Sequence, residues 1–184
     1  MSNYVPWEER LLVVFCPSIN MHIATTHIPP GVSNGWLKID FFEGLFNMLS
    51  KHKVILAGDF NSPRKENQNG TLITWGQKIS KHGKPYIPKL ILGQPGHRWH
   101  EAEYNLLKGI TQIGYSDFYR SKNGYIDSAY SWKTPSNKEI RYRFDHIIGP
   151  SETKICNASY LMEFIENKLS DHTALLVDLQ LGVN

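Results

Sequence analysis

Val54-Ile55-Leu56-Ala57-Gly58-Asp59-Phe60-Asn61-Ser62-Pro63 is the stretch on which the reading of this 184-residue chain turns. A four-residue apolar run is too short for a helix and suits a strand buried on both faces. Gly58 lets the backbone turn where that strand ends. Asp59 and Asn61, two apart, point the same way if the path stays extended. A carboxylate and a carboxamide so placed can take a proton from water and steady an anionic oxygen. An Asx turn explains the same residues without any chemistry.

Outward from that strand, Leu11–Cys16 is an apolar run closed by Pro17, and Met21–Ile28 ends at Pro29-Pro30-Gly31. Both read as strands. Between Trp36 and Ser50, the residues Ile39, Phe42, Leu45, Phe46 and Leu49 recur at helical spacing. Ala102, Leu106, Ile110 and Ile113 mark a second helix. Ser128–Trp132, Phe144–Ile148 and Ala174–Leu181 read as strands, the last with Leu175, Val177, Leu179 and Leu181 on one face. Helices among the first strands and strands alone afterwards predict a single mixed domain of class α+β over residues 1–184.

Composition bounds what such a domain can be. With 41% hydrophobic and 20% charged residues the chain can pack a core, which excludes disordered, collagen-like and coiled-coil proteins. Its longest apolar run, Leu11–Cys16, is far short of the roughly 20 residues that span a bilayer, so no membrane partner is expected. MSNYVPWEERLLVVFC has the features of no secretory signal, and a cytoplasmic location is expected. Cys16 and Cys156 are too few for a disulfide framework or a cysteine zinc site and are expected to be small buried apolar residues. The net charge is +3, unevenly placed: Arg64, Lys65, Lys78, Lys81, Lys84, Lys89 and Arg98 face the single acid Glu66 between residues 64 and 100. With Trp75, Tyr86 and Trp99 interleaved, that stretch suits a phosphate-rich polymer. On charge alone, a solvated surface insertion is the first reading of that stretch.

Three further clusters carry titratable groups. Asp145, in the apolar run after Arg143-Phe144, is costly to bury unpaired. It is expected either to form a salt bridge with Arg141 or Arg143, or to orient a histidine from elsewhere. Ser170-Asp171-His172 stands directly before the last strand and can serve a phosphate group or merely cap a turn. His27, at the end of the second strand, is either a general acid or a surface residue without a role.

The order of these signals resembles the endonuclease/exonuclease/phosphatase superfamily, and within it bacterial relatives of exonuclease III. The matching elements are Gly31…Asn34-Gly35-Trp36-Leu37-Lys38, the Gly58-Asp59-Phe60-Asn61 turn and Gly114-Tyr115-Ser116-Asp117-Phe118-Tyr119-Arg120. Ser131-Trp132, Arg143-Phe144-Asp145 and Ser170-Asp171-His172 complete the match, which runs from about residue 11 onward. The resemblance implies a DNase I-like four-layer α/β/β/α sandwich. It implies metal-dependent hydrolysis of phosphodiester bonds, with DNA as the first candidate partner and Mg²⁺ or Mn²⁺ as cofactor. Carried over, Asp59 activates or orients water, Asn61 holds water and phosphate, and His172 binds phosphate or moves a proton with Asp145 behind it. His27 falls where DNase I-like members have histidine and exonuclease III-like members tyrosine, so it is a candidate leaving-group acid. Asp171 and Asp59 fall on the metal side, and Arg64, Lys65, Arg98 and Trp132 are expected to hold substrate.

Members of that superfamily begin with a strand ending in Asn and another ending in Gln-Glu, and nothing here matches them. Leu11–Cys16 already fits the middle of the pattern, so the first part of the domain is expected to be absent. The chain by itself is then expected to bind Mg²⁺ weakly and turn over slowly. Two other functions fit: hydrolysis of a small phosphate ester or phospholipid headgroup, and a catalytically impaired fragment that binds nucleic acid or a partner chain. The residues say nothing of oligomeric state.

Overall fold

A computed structural model describes residues 1–135 and 139–180. It is a mixed α/β structure built on a five-stranded sheet. Strand β1 (Leu11–Cys16) turns through Pro17–Ile19 and the left-handed Asn20 into antiparallel β2 (Met21–His27). A parallel partner needs a crossover, and helix α1 (Leu37–Lys51) supplies it before β3 (Val54–Asp59). Helix α2 (Gly96–Leu107), strand β4 (Tyr115–Asp117) and helix α3 (Phe118–Asn123) follow. Strand β5 (Asp145–Pro150) inserts antiparallel between β3 and β4, giving the order β1-β2-β3-β5-β4. Strands β6 (Lys154–Leu161) and β7 (Ala174–Gln180) pair with each other antiparallel.

Period-two alternation decides which layer each residue enters. Ala24, Val54, Leu56 and Ile148 face α1 and α2 and form the main core with Ile39, Phe42, Leu45, Leu49, Ala102 and Leu106. Phe42, Leu45 and Leu56 are fully buried, and truncating any of them to alanine costs about 2–5 kcal/mol. Met21, Ile55 and Ile147 face the other way, against Ile155, Val177 and Leu179 of the β6–β7 pair. That pair does not cover the whole sheet face, and Leu12, Val14 and Ile23 stay exposed beside it.

Several expectations are corrected. The second helix runs earlier than its apolar spacing predicted, because the chain breaks at Lys108 and continues as a 3₁₀ turn, Gly109–Ile113. Ile110 is buried from that turn rather than from the helix. The strand expected over Ser128–Trp132 is a two-residue piece, Trp132–Lys133, paired with Arg141–Tyr142. Leu175, Val177 and Leu179 do share the more buried side of β7, while Leu181 lies outside the described residues. Cys16 is half-buried and Cys156 exposed, so neither is the core residue it was expected to be. Among the described residues no helix is long and apolar enough to cross a membrane.

Candidate active site

Strand register brings the first residues of the site together. His27 is opposite Asp59 across the parallel β2–β3 pair, and Asp59 is opposite Asp145 across the antiparallel β3–β5 pair. The three therefore stand in one row at one end of the sheet. Gly58 permits the turn that follows: its φ is +146°, and a Cβ there would run into the Thr26 carbonyl. Asn61 adopts φ of +50°, which asparagine tolerates. Its backbone N–H donates to Asp59 Oδ1 at 2.7 Å, and its side-chain amide donates to Asp59 Oδ2 at 3.3 Å and to the Ile28 carbonyl at 2.9 Å. The Asx turn and the candidate catalytic pair are thus the same object.

His172 reaches the row from the loop before β7. Its Nδ1 lies 2.7 Å from Asp145 Oδ2, within the range expected for an orienting carboxylate. Neither arginine competes for that carboxylate. Arg143 grips Glu66 with two parallel hydrogen bonds and donates to Asp117, while Arg141 pairs with Glu139. The Ser131 hydroxyl accepts the backbone N–H groups of Phe144 and Asp145 and so fixes the start of β5. His27 Nε2 is 3.6 Å from Asp59 Oδ2, and Arg10 donates to His27 Nδ1 at 3.1 Å. A guanidinium only donates, so the imidazole accepts at Nδ1 and turns its Nε2 proton toward Asp59.

Electrostatics follow from this packing. Burial pushes the Asp59 carboxyl above its ordinary pKa, and the neighbouring Asp145 charge adds to the rise, against the Asn61 N–H and the two histidines. For His172, burial opposes the charged form, but the hydrogen bond and charge of Asp145 outweigh it and raise the imidazole pKa. Both shifts run the same way, each favouring the protonated form of its group.

Beneath the turn lies an ion pair to which the sequence assigned no role. Lys38 is 1% exposed and donates to the Asn61 carbonyl and to Ser62 Oγ, each at 2.8 Å, and its ammonium lies 3.0 Å from Glu103. Glu103 also accepts from the Trp75 backbone N–H and the Trp99 indole. One buried ion pair therefore ties both long helices to the loop that carries Asp59 and Asn61. On the sequence both residues look like charges on helix surfaces, and only tertiary packing reveals the pair.

The remaining candidates spread out. Trp132 donates from its indole toward Asp171 Oδ2 at 3.4 Å and bridges His172 through the backbone, so both belong beside the cluster. Arg98 is held by Asp40 and Glu43 over the Trp36 ring, away from these contacts. Arg64 lies over Trp75 and donates to the Gln77 carbonyl, and Lys65 is exposed on a short ribbon. Lys78, Lys81, Lys84 and Lys89 are exposed as well, whereas Trp99 is buried in the core instead of standing on a basic surface.

The resemblance implies a divalent cation at Asp59 and Asp171. Among the described residues no group of three or more His, Cys, Asp or Glu side chains could hold a metal ion. Asp59 accepts two hydrogen bonds from Asn61, and Asp171 faces the Trp132 indole. This donor set does not fit a resident cation, and the chemistry below is that of the side chains. Neither a family model nor a curated protein matches the chain.

Proposed function

We propose that the chain hydrolyses phosphodiester bonds in nucleic acid, DNA first, with water as the nucleophile. The observation that carries this reading is the Asp145–His172 contact at 2.7 Å beside the Asp59–Asn61 turn. Asp59 takes the proton of the attacking water. Asn61 holds the Asp59 carboxylate in place with two hydrogen bonds. Asp145 fixes the proton on His172 Nδ1, which turns Nε2–H outward to a phosphoryl oxygen or to the departing alkoxide. His27, which accepts from Arg10 at Nδ1, presents its Nε2–H as a hydrogen-bond donor on the opposite side of Asp59. The same reading takes the helix, sheet and strand-pair layers as part of a DNase I-like four-layer sandwich.

End-labelled single- and double-stranded DNA, incubated with the purified chain in Mg²⁺, Mn²⁺ or EDTA, tests it. Cleavage by the wild-type chain that disappears in Asp59→Asn and His172→Ala is the expected result. No cleavage under any of these conditions by a chain that melts cooperatively, or equal cleavage by the variants, overturns the reading.

A further inference from the structure

A cavity of about 450 Å³ opens beside Asn61, and its walls are rings. Tyr142 and Phe144 lie 4.8 Å apart at 20°, Trp132 stacks on Phe144 at 5.8 Å and 22°, and Trp75 stacks on Tyr142 at 5.8 Å and 29°. Such near-parallel faces complement a flat partner better than a flexible chain. The volume falls in the range of small-molecule sites, which runs from about 300 to 1,000 Å³. Polar groups in the lining are already engaged. The Lys38 ammonium is bound to Asn61, Ser62 and Glu103, the Asn61 amide to Asp59 and Ile28, and Thr134 Oγ1 accepts from the Ile140 N–H. Little is left to read the edge of a ring.

The cavity adjoins the candidate phosphate site through two of its lining residues. Asn61 lines it and is bonded to Asp59, and Trp132 lines it and is joined to both Asp171 and His172. Asn61 and Trp132 thus stand between the cavity and the side chains of Asp59 and His172, next to where a phosphate held by those two would carry its neighbouring groups. Arg64, over the outer Trp75 ring at 5.8 Å, places positive charge at that wall.

We propose that this cavity takes an unpaired nucleobase adjoining the scissile phosphate, so that the substrate is a single strand, held by stacking with little regard to base identity. The proposal rests on the phosphodiesterase reading above and sharpens its substrate. A base inside a duplex cannot reach such a slot without leaving its stack, whereas stacking on aromatic side chains tolerates every base.

The test is equilibrium binding in EDTA, with the Asp59→Asn chain, so that hydrolysis does not enter. The probes are a short single-stranded DNA carrying one 2-aminopurine, the same strand with a tetrahydrofuran abasic residue there, its duplex, and 2-aminopurine mononucleotide. Expected are quenching of the 2-aminopurine, and single-strand binding about tenfold tighter than for the abasic strand, the duplex or the mononucleotide. Trp75→Ala, at a ring 36% exposed, is expected to lose that advantage, and Trp75→Phe to keep most of it. Abasic, duplex or mononucleotide binding as tight as the single strand overturns the proposal, as does a Trp75→Ala chain that binds unchanged. Wild-type cleavage without base-dependent binding removes this inference alone. Base-dependent binding without cleavage supports it and removes the hydrolytic reading.

Discussion

Asp145 Oδ2 and His172 Nδ1 meet at 2.7 Å although 27 residues separate them. A carboxylate in this position selects the tautomer and stabilises the imidazolium. In Asp145→Asn the carboxylate charge is lost and the amide can present its NH₂ to the ring. We expect cleavage to fall by about 10²–10⁴-fold, with the melting temperature changed by only a few degrees. The ratio of kcat values and the ¹⁵N shifts of the His172 ring check it. An unchanged rate with an altered tautomer would remove Asp145 from the mechanism.

The pH dependence follows from the same groups. Asp59 acts ionised, and its pKa is raised from 3.8 by burial, so the acid limb of kcat/KM lies above that value. His172 acts protonated, and Asp145 raises its pKa from 6.5 against the pull of burial, so the alkaline limb lies above that value too. The expected profile is a bell displaced upward on both sides. Because the charges of Asp59 and His172 act on each other, the two limbs belong to the pair. In Asp145→Asn the alkaline limb moves down, and a limb that stays in place contradicts the assignment.

How far the fold can be read from the residues depends on how local the cause is. Val54–Ala57 and the apolar stripe of α1 announce themselves, since buried strand and helix face are written in neighbouring positions. β6 does not. A register shift between Ile155 and Asn157 interrupts its alternation, and Cys156 and Asn157 both point outward. The partner of Asp145 was legible as a need, because a carboxylate in an apolar strand must be satisfied. Its alternatives, Arg141 and Arg143, were drawn off by Glu139, Glu66 and Asp117, contacts that no spacing reveals. Trp99 misled for a related reason: basic neighbours suggest a surface, yet α2 turns that ring inward onto Glu103.

Arg143 holds Glu66 and Asp117 together inside the protein, and this sets an acid limit on stability. Burial favours the neutral Glu66, but Arg143 and Arg120 prevail and hold its pKa down at about 2, against 4.5 ordinarily. A depressed folded pKa gives stabilisation that is present above 4.5 and lost as pH falls toward 2. Its size is about 3 kcal/mol. Urea midpoints measured from pH 6 down to pH 2 should fall most steeply below 4.5, and in Glu66→Gln that part of the slope should flatten. Arg143→Leu leaves both carboxylates without their main partner and should cost about 3–5 kcal/mol at neutral pH.

The buried Lys38–Glu103 pair makes the last prediction. Burial lowers the Lys38 pKa while Glu103, 3.0 Å away, pulls it back up, so the ammonium persists only through its partners. Lys38→Met conserves much of the stem but leaves the Glu103 charge facing only Ser62, Trp75 and Trp99 donors. Removing one member of a buried pair costs about 3–5 kcal/mol. The Asn61 carbonyl retains the Trp75 indole at 3.1 Å, so the Asp59 turn should loosen rather than collapse. Lys38→Met is therefore expected to lower the urea midpoint strongly, and at a temperature where it is folded, to reduce kcat more than it raises KM. The second change, Glu103→Gln, should restore part of the stability because the stranded charge is gone. A single variant costing under about 1 kcal/mol, the range of surface pairs, would show that the ion pair is not what anchors the catalytic turn.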